Sequence, residues 1–196
     1  VVGYSVSGDG SEGFRWRTSD GLMSLGDIPG GNYDSYARDA SGDGSIVVGQ
    51  GSSASGVEAF RWTAVEGMTG LGDLAGGPTY SEAYGVSDDG SVIVGHSSFA
   101  SGLEAFRWTV AQGMIALGDL PGGSYRSTAS RVSADGETII GWSESQFGNE
   151  AFRWRAAEGM TGLGDLAGGG FESYAYGVSA DGSMVVGRAR IDGGIA

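Results

Sequence analysis

The chain has 196 residues, enough for one well-buried domain or for a section of a larger repeat array. It carries 24 acidic against 11 basic residues, every basic one an Arg, and its net charge of −13 argues against nucleic-acid or anionic-membrane partners, whose phosphates would repel it. The absence of Cys excludes disulfides and Cys-ligated metals, and no apolar run is long enough to span a membrane.

The opening VVGYS reads as a strand entered midway, without Met or signal peptide, as in a processed or excised part of a longer protein. EGFRWR (12–17) follows it. That segment returns as EAFRWT at 58–63 and 104–109 and as EAFRWR at 150–155. Trp16, Trp62, Trp108 and Trp154 are thus 46 residues apart, and Gly44, Gly90, Gly136 and Gly182 keep the same period without an insertion or deletion. The repeats run 1–46, 47–92, 93–138 and 139–184, with a partial fifth at 185–196.

Within one period, EAYGVS (82–87) leads through the turn DDG into SVIVGHS (91–97), a hairpin with Gly where a left-handed backbone is needed. EAFRWT (58–63) turns at AVEG into MTGLGDL (68–74), a second hairpin. No stretch sustains a 3.6-residue period, so almost no helix is expected. Four antiparallel strands in about 46 residues is the size of one β-propeller blade. The expected fold is therefore all-β: a propeller of four four-stranded blades, complete in itself or part of a larger ring. Phe14/Phe60/Phe106/Phe152 and Trp16/Trp62/Trp108/Trp154 share one strand face and should fill one gap between blades, while Ala on the other face admits the next blade.

The pattern EAFRW…GM…LGDLPGG…S.A..VSADG..VVG resembles the bacterial extracellular HAF repeat, written His-Ala-Phe-x-Trp with a following Leu-Gly-x-Leu-Gly-Gly segment. The resemblance covers nearly the whole chain. It implies a secreted or surface-anchored bacterial protein of propeller-like fold, with little implied about activity. Glu12, Glu58, Glu104 and Glu150 stand where that family has His, so no role of the His carries over.

Charged residues recur in every copy: these Glu, then Arg15/Arg61/Arg107/Arg153, Asp27/Asp73/Asp119/Asp165, and the turn Asp43/Asp89/Asp135/Asp181. A ring of catalytic or metal-binding groups is one reading. A folding role is the stronger one, because a catalytic site needs its groups once, whereas each buried Arg needs a carboxylate everywhere. Asp27, Asp73, Asp119 and Asp165, on the adjacent strand, are the expected partners of these Arg. The S-x-D-G turns lack the ligand pattern of an EF-hand, so calcium has only weak support and no cofactor is expected. No catalytic motif is present, and an enzyme is not expected. A hydrolase or lyase would have only Asp34, Glu82, Glu144 and Glu172 as non-repeated carboxylates.

Two segments per copy vary: 4–11, 50–57, 96–103 and 142–149, and 32–39, 78–85, 124–131 and 170–177. In an up-and-down meander both fall at one end of the blades and the constant turns at the other. Every aromatic residue outside FRW lies in them: Tyr4, Tyr33, Tyr36, Tyr80, Tyr84, Phe99, Tyr125, Trp142, Phe147, Phe171, Tyr174 and Tyr176. One column reads Tyr4, Gln50, His96, Trp142 and Arg188. His96, the only histidine, reads alone as a surface side chain and joins the candidates through this column. Loops on a rigid scaffold commonly carry binding, and an aromatic, Ser-rich surface suits sugars or protein epitopes. The expected function is non-catalytic recognition of a glycan or surface protein. The alternative is a structural or assembly unit of a surface layer, matrix or filament, pairing with copies of itself or with further blades of the same protein.

Overall fold

The computed structural model describes residues 1–191 and, as backbone alone, 194–195. It is all-β, with no helix among the described residues. The first sheet is β1 (Val2–Val6), β2 (Ser11–Arg17) and β3 (Gly21–Ser24). The second is β4 (Ser35–Ala40), β5 (Ile46–Ser52), β6 (Val57–Thr63) and β7 (Gly67–Gly70), paired antiparallel in chain order. Strands β8 (Ser81–Val86), β9 (Ile93–Phe99), β10 (Gly102–Thr109) and β11 (Gly113–Ala116) repeat that meander. So do β12 (Gly122–Val132), β13 (Ile139–Ser145), β14 (Gly148–Arg155) and β15 (Gly159–Gly162). Strands β16 (Ser173–Val178), β17 (Val185–Ile191) and β18 (Gly194–Ile195) form the last sheet.

Strands β8 to β15 make one eight-stranded sheet, but its two halves meet through a single parallel pair, Leu103 with Arg126. The same pair recurs as an isolated bridge at each other boundary: Ser11 with Asp34, Val57 with Tyr80, and Asn149 with Glu172. The eight-stranded sheet is thus two four-stranded units joined by the contact that links every unit to the next. Among the described residues no strand pairing joins the first sheet to the last.

The FRW strand explains the packing. Phe60 and Trp62 point to one side, into a core with Leu25, Ile28 and Val47, while Ala59 points to the other, beneath Phe106. One unit later Ala105 receives Phe152 in the same way. A small residue on each sheet leaves the volume that the neighbour's ring fills, so one sequence motif satisfies both of its faces. The strand after FRW is only four residues long, shorter than expected, because a left-handed Gly (Gly72, φ 78°) turns the chain out of the sheet.

That exit corrects the expected Arg–Asp pairing. Arg15 lies 3.5 Å from Asp20 and Arg61 2.8 Å from Glu66, Arg153 pairs with Glu158, and Arg107 donates to Gln112 at 3.1 Å. The partner comes from the tight FRW hairpin, five residues after the Arg, because Asp27, Asp73, Asp119 and Asp165 follow the Gly and have already left the sheet. Burial holds the Asp27 and Asp119 carboxyls above their usual range, and Oδ1 of each meets no donor. Asp165 instead accepts the Leu166 and Glu172 N–H groups at 2.9 and 2.8 Å. The repeated Glu secures the same exit, with Glu58 accepting the Gly72 N–H at 2.7 Å and Glu150 that of Gly164 at 3.0 Å.

Candidate functional site

Two repeated serines, the second being the Ser of the S-x-D-G turns, lock the first strand of each unit. Ser81 accepts the Ala59 N–H at 2.9 Å and donates to the Gly72 carbonyl at 2.6 Å, and Ser35, Ser127 and Ser173 do the same in their units. Ser87 accepts the Val92 N–H at 3.0 Å and donates to Asp89 at 2.7 Å. The 46-residue spacing was the signal that could have found the first of them. The turn carboxylates are consumed by their own loops: Asp43 accepts from Ser41 and the Ser45 N–H, both at 2.8 Å, which holds it down at about 2. Among the described residues no three His, Cys, Asp or Glu gather as a metal site.

Strands β4, β8 and β12 lie side by side at the inner edges of their sheets. Asp39 accepts the Val86 N–H across one gap at 3.1 Å, and Arg131 donates to the Tyr84 carbonyl across the next at 2.7 Å. Each inner strand carries a β-bulge against its partner, between Ala37 and Asp39, Ala83 and Gly85, Ala129 and Arg131, and Ala175 and Gly177. The extra residues are Arg38, Tyr84, Ser130 and Tyr176. A bulge re-aims its side chain, and here every bulge presents a residue that the repeat does not conserve.

The varied column lies beside these bulges, within strands rather than in loops. Tyr4, Gln50, His96, Trp142 and Arg188 sit on β1, β5, β9, β13 and β17, and Tyr36, Glu82, Thr128 and Tyr174 pair opposite the last four. This agrees with the strands expected at 82–87 and 91–97, whose equivalents hold Tyr36, Tyr84, Tyr174 and Tyr176 and then Tyr4 and Trp142: the variable segments overlap the strand ends. Neighbouring units meet along this belt, with Tyr4 edge-on to Tyr36 at 4.8 Å and Trp142 to Tyr174 at 5.7 Å. Arg38 lies over Tyr84 at 5.8 Å, Arg126 over Trp142 at 5.5 Å and Arg188 over Tyr174 at 4.7 Å. Tyr33, Phe99, Tyr125, Phe147 and Phe171 lie apart, at the variable rim, where Phe147 and Phe171 pair at 5.3 Å. Both variable segments do share one end: Asn32 N–H reaches the Ser52 hydroxyl at 3.4 Å, while the constant turns meet elsewhere, Arg17 donating to the Asp43 carbonyl at 2.9 Å.

At the centre of the belt, Glu82 accepts the hydroxyls of Tyr80 and Tyr84, each at 2.6 Å. His96 stacks on Tyr80 at 5.7 Å and meets Tyr84 edge-on at 5.3 Å. It is 8% exposed, which corrects its reading as a surface side chain: the inner strand and its tyrosines fold over it. Burial pushes its imidazole below the usual value, so it stays neutral near pH 7. Glu144 and Glu172 line one cavity of about 410 Å³, yet Arg126 lies 3.8 Å from the first, and Arg188 and Arg190 lie 3.8 and 3.4 Å from the second. Both carboxylates are neutralised in place, which suits structure more than acid–base work.

Burial and the Glu82 carboxylate push the Tyr80 hydroxyl up to about 12 and raise Tyr84 as well. A group whose folded pKa is raised is favoured in its protonated form by the native state. Stability is therefore expected to fall as pH climbs from the ordinary tyrosine value of about 10 toward about 12. Urea unfolding across that window checks this, and Glu82→Gln should flatten the decline.

No family model matches the chain, and no curated protein does. Solved structures do. TolB from Acinetobacter baumannii matches with a TM-score of 0.67 at 13% identity, over 98% of this chain and 47% of that one. A protein assigned as TolB from Agrobacterium tumefaciens gives 0.61 at 13% identity, over 93% and 64%. The chain thus spans about half to two thirds of their lengths. The likeness is one of fold, β-propeller-like in the TolB manner, and it does not reach the HAF-repeat family specifically.

Proposed function

We propose that the chain is a non-catalytic, propeller-type recognition scaffold of the bacterial envelope or cell exterior, binding a glycan or protein surface at its belt of aromatic and arginine side chains. One observation carries this reading. Residues that repeat are consumed in packing and turns, while the bulged residues Arg38, Tyr84, Ser130 and Tyr176 and the column residues beside them vary along the units, with Tyr at two of the four bulges. Neutral variation would have no reason to concentrate aromatic rings beside Arg side chains at one register. Glycans are favoured, because rings, hydroxyls and guanidinium groups stand together there.

Glycan and peptide arrays probed with wild type and a Trp142→Ala/Tyr176→Ala variant test it. Binding should drop at least tenfold in a variant whose melting temperature stays near that of wild type, a loss of about 1.4 kcal/mol or more. Undiminished binding, or none by the wild type, removes the reading.

A second reading, assembly, is favoured by the end sheets. Val186 is 58% exposed, whereas Val48, Val94 and Ile140 at the same position are fully buried. It borders a cavity of about 390 Å³ with Ala151, Leu163 and Leu166, where each internal unit receives the next Phe. Another repeat unit, from a second copy or further blades, fits this face. Light scattering on the same samples decides it: a concentration-independent monomer rules out self-assembly.

A further inference from the structure

Beside His96 lies a cavity of about 300 Å³ lined by Tyr84, His96, Thr128, Ser130, Arg131 and Trp142. It spans two neighbouring units, and two of its walls, Tyr84 and Ser130, are the bulged residues of their strands. We infer that it is a subsite for one acidic sugar residue, a pyranose carrying a carboxylate. This inference rests on the recognition reading above and narrows its ligand.

Three features select that chemistry. The first is His96 itself. Its ring is fixed by the two tyrosines, and its Nδ1 lies 3.3 Å from the Thr128 hydroxyl. Its Nε2 is buried and has no partner. An unmet buried polar atom costs about 1–3 kcal/mol, and a ligand hydroxyl recovers it only by turning the ring, because Nε2 has no accessible surface in the unliganded protein. A sugar hydroxyl can donate or accept, and therefore serves either tautomer of a neutral imidazole.

The second feature is Arg131. Its Nη1 donates to the Tyr84 carbonyl at 2.7 Å and to the Ser130 carbonyl at 2.8 Å. Both partners are neutral, and no carboxylate lies within ion-pair distance among the described residues. The guanidinium is oriented at one edge and keeps its other N–H groups for an anion. A planar carboxylate fits such a fork better than a point charge would. Elsewhere on the belt Arg38, Arg126 and Arg188 already face Glu82, Glu144 and Glu172. Arg131 is the belt cation beside the cavity with no carboxylate in ion-pair contact; Asp39 lies farther off, near enough for the two charges to interact.

The third is shape. The cavity is at the small end of ligand sites, the size for a single ring rather than a chain segment. Tyr84 and Trp142 provide apolar walls and Thr128 and Ser130 provide hydroxyls, the mixture that an amphipathic pyranose presents in return. Larger parts of a polymer would continue along the belt, over Trp142 and Tyr174.

Calorimetric titration with a galacturonic acid tetrasaccharide and with its neutral galactose counterpart tests the inference. The wild type should bind the uronate at least tenfold more tightly. Arg131→Lys, which keeps the charge and loses the fork, should weaken uronate binding about tenfold, and Arg131→Gln more, each by a larger factor than it weakens neutral-sugar binding. His96→Phe should weaken both ligands. Thermal melts show which variants are folded, and Arg131→Lys is the safeguard if His96→Phe is not. Equal affinity for the two sugars, uronate binding indifferent to Arg131, or displacement by acetate at equal concentration would each overturn the acidic-sugar subsite. Neutral-glycan or peptide binding that still needs Trp142 and Tyr176 would sink this inference while leaving the recognition reading intact.

Discussion

Phe106→Ala is expected to cost about 3–5 kcal/mol, whereas the same change at Phe14 should cost less than half as much. Both residues occupy one position of the repeat and have the same sequence neighbours on the C-terminal side. Phe106 is fully buried, lying on Ala59 among Ile46, Val48 and Ile93, so its removal leaves a cavity with walls on every side. Phe14 belongs to the first sheet and is half-buried, its ring resting against Gly3. Solvent can enter where it is removed, and the residual-cavity part of the cost is absent. In repeat architectures stability is close to a sum of unit and nearest-neighbour terms, so an internal interface loses what an end sheet never had. Urea denaturation of the two variants provides the comparison. Equal losses would mean that the sheets do not stack through the FRW strand.

Gly95→Ala should be nearly as damaging, by about 3 kcal/mol, and should also disturb the belt. A Cβ at Gly95 would stand 1.9 Å from the Glu82 carbonyl oxygen, and Gly49, Gly141 and Gly187 meet the same obstacle at Tyr36, Thr128 and Tyr174. The obstacle is backbone, so the strand pair must separate, and overpacking of this kind costs 1–3 kcal/mol or somewhat more. The Gly of the repeated V/I-V/I-G therefore exists to let the bulged inner strand approach. Losing that approach moves Glu82 and with it the Tyr80 and Tyr84 hydroxyls. Chemical unfolding measures the stability cost, and the tyrosine near-ultraviolet circular dichroism reports the belt. An unaltered spectrum with unaltered stability would show that the bulge does not depend on glycine.

The repeat itself was legible because each unit meets identical neighbours. A residue needed at one interface is needed at all of them, so Phe, Trp, Ala and Gly recur at 46 residues and announce both period and sheet. The facing of Phe60 and Trp62 against Ala59 followed from strand alternation alone. The Arg partner was misjudged because alternation assumes a strand that continues. The left-handed Gly after β7 ends it, and the hairpin carboxylate inherits the pairing.

The candidate site was half legible. Variation marked which residues to examine, and most of the belt is drawn from them: Tyr84, His96, Trp142 and Tyr174. Their geometry was not, since a bulge leaves no mark in composition. One inserted residue per inner strand shifts the side-chain alternation, and sequence periodicity reads only unshifted strands. Ser130 and Arg131 lie inside the variable segment 124–131, where only the aromatic side chain stood out as a candidate.

Sequence by itself determined the unit, its strand content and the residues that bind unit to unit, because those depend on contacts repeated at a fixed distance along the chain. Tertiary structure alone decided which varied side chains meet. Tyr84, His96 and Arg131 become neighbours only when inner strands forty-seven residues apart lie edge to edge, as the Arg131 to Tyr84 hydrogen bond records. No local rule of sequence encodes that juxtaposition, which arises from how far each sheet turns relative to the one before it.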